Sequence, residues 1–321
     1  MQYILRRLAM VLPMLLGITI ITYTIVSLAP GDPITALIDP EEMNVLSEDQ
    51  MNQMRERLGL NDPIPVRYVK WLREAVQGNL GYSYQNSRPV LEMIIDRLPA
   101  TLALSATSMA IAMVIGVSIG ILSARKQYSL LDYTSTILAF FGLSVPAFFV
   151  AMLGMFIFSV RLGWLPVFGM WTPGEPTTYF NLDMIHHAIL PVTALAVPQI
   201  AEYMRYSRAA TLDAMGFEHV VTARSKGLSE RTIFWRHVFR NALIPMLTIV
   251  GLSLPGVIGG SFVIETIFSW PGIGMLGYSA IMQRDYPIQL GIALMAATAV
   301  LFANLLTDLA YAVADPRIRY E

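Results

Sequence analysis

Cysteine is absent from this chain. No disulfide framework, thiolate metal site or cysteine nucleophile is available, and four histidines leave little for a His-rich metal cluster. Charge is scarce as well. Asp, Glu, Lys and Arg make up 14% of 321 residues, far below the quarter usual in soluble domains, and the net charge of −1 excludes a nucleic-acid binder driven by bulk positive charge. Also missing are the G-x-x-x-x-G-K-[ST] phosphate loop, since Ser225-Lys226-Gly227 runs in the wrong order, and the G-x-S-x-G and H-E-x-x-H signatures. What the chain has in excess is apolar surface. At 55% hydrophobic residues it reads as a membrane protein.

A helix needs about 20 apolar residues to cross a hydrocarbon core of about 30 Å, because only internally hydrogen-bonded backbone survives there. Residues 8–29, 100–124, 133–160, 241–264 and 288–307 carry no charge and predict five spans. A sixth is expected at 188–201, extended past Glu202 to about Tyr206, with Pro191 and Pro198 inside it. The first span has signal-peptide features, Arg6 and Arg7 before it and Ser27-Leu28-Ala29 at its end. Its apolar region is too long and Pro30 follows directly, so it is expected to stay as an uncleaved anchor.

Basic residues alternate across six spans. One side carries Arg6 and Arg7, Arg125 and Lys126, seven from Arg205 to Arg240, and Arg317 and Arg319, whereas the two short segments opposite carry only Arg161 and Arg284. The positive-inside rule then puts both termini in the cytoplasm. Residues 30–99, with eleven acids and seven bases, form a long extracytoplasmic loop. Ser47 and Gln50 form a capping box for a helix that Gly59 closes; Pro65 opens a second, with Val66, Val69, Leu72 and Val76 on its apolar face and Gly78 at its end. Such helices serve packing or docking.

One segment breaks the apolar pattern. Residues 222–245 read TARSKGLSERTIFWRHVFRNALIP, and from Arg205 to Arg240 the chain carries seven basic and three acidic residues. A helix is expected over 209–226, with Leu212, Met215, Val220 and Ala223 on one face; Gly227 ends it in the left-handed region, and Ser229 caps a second helix over 230–240 that leads into the fifth span. A connector needs only a handful of residues. This bent bracket is long enough to bind a cytoplasmic partner and stiff enough to pass motion to the span.

Thr222 and Ala223, Gly227 four residues on, then His237, Phe239, Arg240, Asn241, Ala242 and Pro245 resemble the cytoplasmic "EAA" loop of ABC importer permeases, in the variant of dipeptide, oligopeptide and nickel permeases. Val221 stands where that loop begins with an acid, and His237, Phe239 and Arg240 stand at its later Ile and Leu–Pro positions. Further motifs follow in order: MQYILRRL at the N-terminus, APGDP at 29–33, LGL at 58–60, GNLG at 78–81, LGWLP at 162–166, ETIFSWPGIG at 265–274, RDYP at 284–287 and DPRIR at 315–319. The chain is similar to the first-subunit, B-type permease of that family.

The resemblance implies an all-α membrane protein, a type I ABC importer transmembrane domain. It comprises an anchor helix (1–29), the extracytoplasmic loop (30–99), a six-span permease core (100–314, counting the anchor) with a coupling segment at 207–240, and a cytoplasmic tail (315–321). It implies a second homologous permease, two ATPase subunits carrying ATP and Mg, an extracytoplasmic substrate-binding protein and membrane lipid as partners. No catalytic residue, cofactor, metal or nucleic acid belongs to this chain. The bracket would seat in an ATPase cleft, with Gly227 as its bend and Val221, Thr222, Ala223, Arg224, Ser225 and Leu228 at the contact. Substrates of the family are dipeptides, oligopeptides, nickel complexes, glutathione or oligosaccharides, and the choice lies with the binding protein.

Other residues carry alternatives. His186 and His187 sit at a span boundary, where interfacial placement competes with metal binding. Gly116 with Gly120, and Gly256 with Gly260, predict close helix approach. For a translocation path or gate the candidates are Pro146, Pro255, Ser261, Glu265, Trp270 and Asp308. The prolines kink spans or free carbonyls toward a cavity, Glu265 and Asp308 cap, pair or line the path, and Trp270 in SWPGIG anchors at an interface or gates. The competing function is an ion-coupled secondary transporter, against which stand the charge-free spans and the lack of a repeat.

Overall fold

The computed structural model describes residues 2–29, 34, 48–57, 59–174 and 179–314, without the side chains of 2–9, 48, 57 and 308–314. The Ser47 cap and most of APGDP lie outside them, as does DPRIR. In chain order the helices are α1 (Gln2–Leu28), α2 (Glu48–Arg57), α3 (Ile64–Ala75), α4 (Val90–Arg125), α5 (Leu130–Ser144), α6 (Ala147–Gly154), α7 (Leu182–Met215), α8 (Glu218–Ser225), α9 (Glu230–Ile233), α10 (Arg240–Gly259), α11 (Phe262–Ile267), α12 (Ile273–Met282) and α13 (Tyr286–Ala314). π-helical turns follow α6 (Met155–Arg161) and α9 (Phe234–Phe239). Two compact units emerge, Met1–Ala100 with Pro271–Leu301, and Thr101–Trp270 with Phe302–Glu321.

Among the described residues, five helices are long and apolar enough to cross a membrane: Met10–Leu28, Val90–Arg125, Leu182–Met215, the run Glu230–Ile267, and Tyr286–Thr307. The pair Leu130–Ser144 and Ala147–Arg161 gives a sixth crossing if taken together, bent by 95° within the span expected over 133–160, at the proline expected to kink it. The cause is local. A proline bars the residue before it from helical backbone, so Val145 is extended (φ −90°, ψ 120°) and Pro146 opens α6. By contrast, α7 runs through Pro191 and Pro198 and continues well past Tyr206 to Met215.

In the first unit, Gly59 closes α2 with a left-handed backbone (φ +67°) and donates its N–H to Glu56 O. Helix α3 turns a face inward that the valine spacing did not indicate. Ile64, Tyr68 and Trp71 pack with Tyr23 and Val26 of α1 and with Tyr84, Tyr286 and Leu290, whereas Val66, Val69 and Val76 are exposed. Rings bury more area than valines, and Tyr23 stacks edge-on against Tyr68 at 5.5 Å. The RDYP motif also finds its place here: Asp285, buried, accepts from Ser83 Oγ at 2.5 Å beside the turn that Tyr82 and Pro89 close.

In the second unit, α4 and α7 touch through glycines. A Cβ at Gly116 would lie 2.6 Å from Ile200 O, and one at Gly120 would overlap Ser207 Oγ and Met204 O. The other glycine pair is split: a Cβ at Gly260 would lie 2.8 Å from Thr101 Cγ2 of α4 and 2.5 Å from Glu265 Oε1, whereas one at Gly256 would have nothing within 4 Å. Helix α10 meets α13 at Gly251 instead, where a Cβ would overlap Thr307.

Candidate functional site

The bracket is folded on its own core. Ala210 and Ala214 of α7, Val220 and Ala223 of α8, Ile233, Phe234 and Val238, and Ala242 and Met246 of α10 form one buried cluster. Its first helix is not continuous as expected over 209–226. α7 stops at Met215, Gly216 caps it, and α8 restarts after an extended Phe217 (ψ 140°), which brings Val220 under α7. Gly227 has the expected left-handed backbone (φ +76°), with its N–H on Arg224 O at 3.0 Å, and Ser229 Oγ accepts from Thr232 N at 3.3 Å to cap α9. From Glu230 the chain is helical through the π turn into α10, so bend and span are mechanically continuous. π turns inside helices recur at functional sites.

Of the expected coupling residues, Val221, Thr222, Arg224, Ser225, Gly227 and Leu228 lie on the exposed side. Ala223 does not. It is 5% exposed and packs inward, because it lies three residues after the buried Val220 on the same helix face, so it supports the surface from beneath. Arg224 is already engaged, donating to Glu230 from Nε (2.7 Å) and Nη2 (3.3 Å) across the bend. Trp235, 56% exposed and set edge-on to Phe239 at 5.0 Å, is a large exposed apolar group of the bracket that sequence reasoning missed. The aromatic run Phe234-Trp235 was its only signal.

A clamp ties the bracket's stem to the neighbouring helices. Asp132, 3% exposed in the first turn of α5, accepts from Arg208 Nε (2.7 Å) and Nη2 (2.9 Å), from Tyr128 N (3.0 Å) and from Ser123 Oγ. Arg125 at the end of α4 lies over the Phe234 ring, 4.7 Å from its centroid. A buried carboxylate survives through such complete pairing. The residues are 76 apart in the chain, which hid the pair from sequence reading.

A polar cavity of about 270 Å³ lies between α4, α7 and α10, lined by Ser105, Ser108, Gln199, Ser253 and Ser261 among others. Of the path candidates whose side chains are described, only Ser261 lines it, where it also caps α11; Pro255 is adjacent in sequence to the lining Gly256. Pro146 stands at the elbow of α5 and α6, where Val145 and Val150 border a different, apolar cavity of about 430 Å³. Glu265 is fully buried and accepts from Thr101 Oγ1 at 3.1 Å, and Trp270, expected at an interface, is also fully buried and donates its backbone N–H to Glu265 O at 2.8 Å. The side chain of Asp308 lies outside the described residues. His186 and His187 donate to the carbonyls of Trp164 and Asp183, both at 2.9 Å, and among the described residues no three His, Cys, Asp or Glu converge on a metal position.

Apolar helices sufficient for several crossings, with an exposed bend just before one of them, define a polytopic helical membrane protein. Residues 116–320 match the family model of the binding-protein-dependent transport system inner membrane component, and residues 1–105 match that of its N-terminal region. The chain belongs to this family and is a multi-pass inner-membrane protein. A putative peptide permease of Brucella suis biovar 1 (strain 1330) and the oligopeptide transport system permease protein AppB of Bacillus subtilis (strain 168) are each 43% identical over 320 residues, covering 99% of both chains. The dipeptide transport system permease protein DppB of Escherichia coli (strain K12) is 34% identical over 340 residues, covering 100% of this chain and 99% of its own. A chain of the MetNI methionine ABC transporter in inward-facing form shares the fold at a TM-score of 0.57 and 16% identity, covering 71% of this chain and 99% of its own. The competing reading, an ion-coupled secondary transporter, is not favoured by this membership.

Proposed function

We propose that this chain is one of two permease subunits of an ATP-driven peptide importer, supplying part of the pathway wall and one coupling lever. Peptide as the substrate is supported by the names of relatives aligned over the whole chain. The observation that carries the coupling role is the exposed bend at Gly227, continuous through helix with a membrane-crossing run. Val221, Thr222, Arg224, Ser225, Gly227, Leu228 and Trp235 form the surface offered to an ATPase subunit, in which ATP and Mg reside. Both termini and the bracket are cytoplasmic, and residues 30–99 face an extracytoplasmic peptide-binding protein. ATP binding draws two ATPases together, the two brackets follow as levers, and the paired permeases exchange access from one side to the other. This chain contributes no catalytic residue. Purification from the native membrane in mild detergent, with mass spectrometry of what accompanies the chain, tests the reading. Recovery of two ATPases, a second permease and a binding protein that retains peptide is the expected result; recovery of the chain alone, where a known complex survives the same detergent, overturns it.

A further inference from the structure

We propose that the polar cavity between α4, α7 and α10 is a subsite for one peptide unit of the moving substrate, with the Gln199 amide as its recognition group; this rests on the peptide-importer reading. Gln199 lies 17 residues into α7 and Ser253 lies 13 into α10, about 26 and 20 Å along their helices at about 1.5 Å per residue. Ser253 is well inside the uncharged run 241–264, and Gln199 lies within the apolar stretch 188–201, three residues before Glu202. The Gln199 side chain forms no hydrogen bond to any described residue, although it borders the cavity. An amide without a partner is costly at that depth, and a membrane helix retains it where water or a polar ligand reaches it.

The lining chemistry selects the ligand. Ser108 Oγ donates to Ser105 O and Ser253 Oγ to Ile249 O, both at 2.9 Å, so each hydroxyl has spent its hydrogen and retains acceptor capacity. Ser261 Oγ accepts from Ile264 N at 3.3 Å and keeps its hydrogen. Among the described residues none that lines the cavity is charged, and the Glu265 carboxylate is buried behind Gly260 with Thr101 as a partner. The cavity thus matches neither the ammonium nor the carboxylate end of a peptide. It offers donors and acceptors together, the pattern of one backbone N–H and C=O, and the Gln199 amide alone supplies both. Its volume of about 270 Å³ is below the roughly 300–1,000 Å³ that encloses a whole small ligand, which suits a passing contact. Gly256 leaves that wall open, since a Cβ there would meet nothing within 4 Å. Recognition of the backbone alone lets one wall serve many side chains.

The test uses the complete transporter in proteoliposomes, with alanine peptides of two to five residues and their backbone N-methylated forms as probes. Gln199→Leu is expected to lower maximal uptake about tenfold, roughly the loss of one or two neutral hydrogen bonds in the rate-limiting passage. The half-saturating peptide concentration and the ATPase rate stimulated by loaded binding protein stay within about twofold, and Gln199→Asn regains part of the loss. N-methylation slows wild-type uptake, and in Gln199→Leu methylated and unmethylated peptides move alike. Uptake by Gln199→Leu at the wild-type rate, or undiminished discrimination in that variant, overturns the subsite. Should the variant fail to assemble, wild type decides alone: methylated peptides that load the binding protein and move as fast as unmethylated ones overturn it. A wild-type transporter that assembles but moves no alanine peptide overturns the peptide-importer reading itself, an outcome distinct from unaffected variants in a working importer.

Discussion

Single residues carry the two most exacting local demands. Arg208 holds both oxygens of Asp132, whose side chain is 4% exposed against 27% for its partner. Removing one member of a buried pair strands the other charge, at a cost of about 3–5 kcal/mol; the partial exposure of Arg208 puts Arg208→Ala near the lower figure. Pairing it with Asp132→Asn removes the stranded charge and is expected to recover most of the loss. Thermal inactivation of the purified transporter measures both, and an unchanged midpoint in Arg208→Ala would remove the clamp from the account. Gly227 makes a backbone demand instead. Nothing lies within 4 Å of a Cβ there, so only its φ of +76° penalises a side chain, by about 1–2 kcal/mol for ordinary L-residues. Gly227→Val is expected to keep its place in the membrane while uptake falls about tenfold at sustained ATP hydrolysis, and Gly227→Asn, better tolerated in that region, to fall less. Uptake in the valine variant that stays coupled at the wild-type rate would sink the lever.

At the scale of elements, what was legible in the sequence was whatever depends on neighbours in the chain. The Gly227 bend, the Ser229 cap and the Gly59 stop follow from local backbone preference and appear as expected. The inward face of α3 and the burial of Trp270 depend on distant partners, and local spacing pointed elsewhere. The glycine pairs show the same division. Gly116, Gly120 and Gly260 were expected to allow close approach and they do, whereas Gly256 faces open space while Gly251 meets Thr307. The motif states that a helix could approach; the fold decides whether one does. Gly120→Ala is therefore expected to lose stability by about 1–3 kcal/mol or more, through overlap with Ser207 and the α7 backbone. Gly256→Ala should be neutral or gain up to about 1 kcal/mol of helix propensity. Equal inactivation midpoints for the two variants would contradict this packing.

For the whole molecule, orientation rests on the distribution of basic residues, and the absence of cysteine offers a direct test. Any thiol introduced into this chain is its only one. Ser225 is exposed at the end of α8, and Asn86 is exposed in the turn before α4, so Ser225→Cys and Asn86→Cys report the two expected faces. A maleimide that cannot cross the membrane is expected to label Cys at position 86 in intact cells with the outer membrane permeabilised, and Cys at 225 only in inverted vesicles. The reverse pattern would turn the molecule over. The second thiol also examines the lever, because a segment seated in an ATPase cleft is shielded. Stripping the ATPases from inverted vesicles is expected to raise the labelling rate at position 225 at least about tenfold, as for a site released from burial, while position 86 in oppositely oriented membranes stays constant. Labelling at 225 that is indifferent to the ATPases would leave the inward orientation standing but detach the bracket from them.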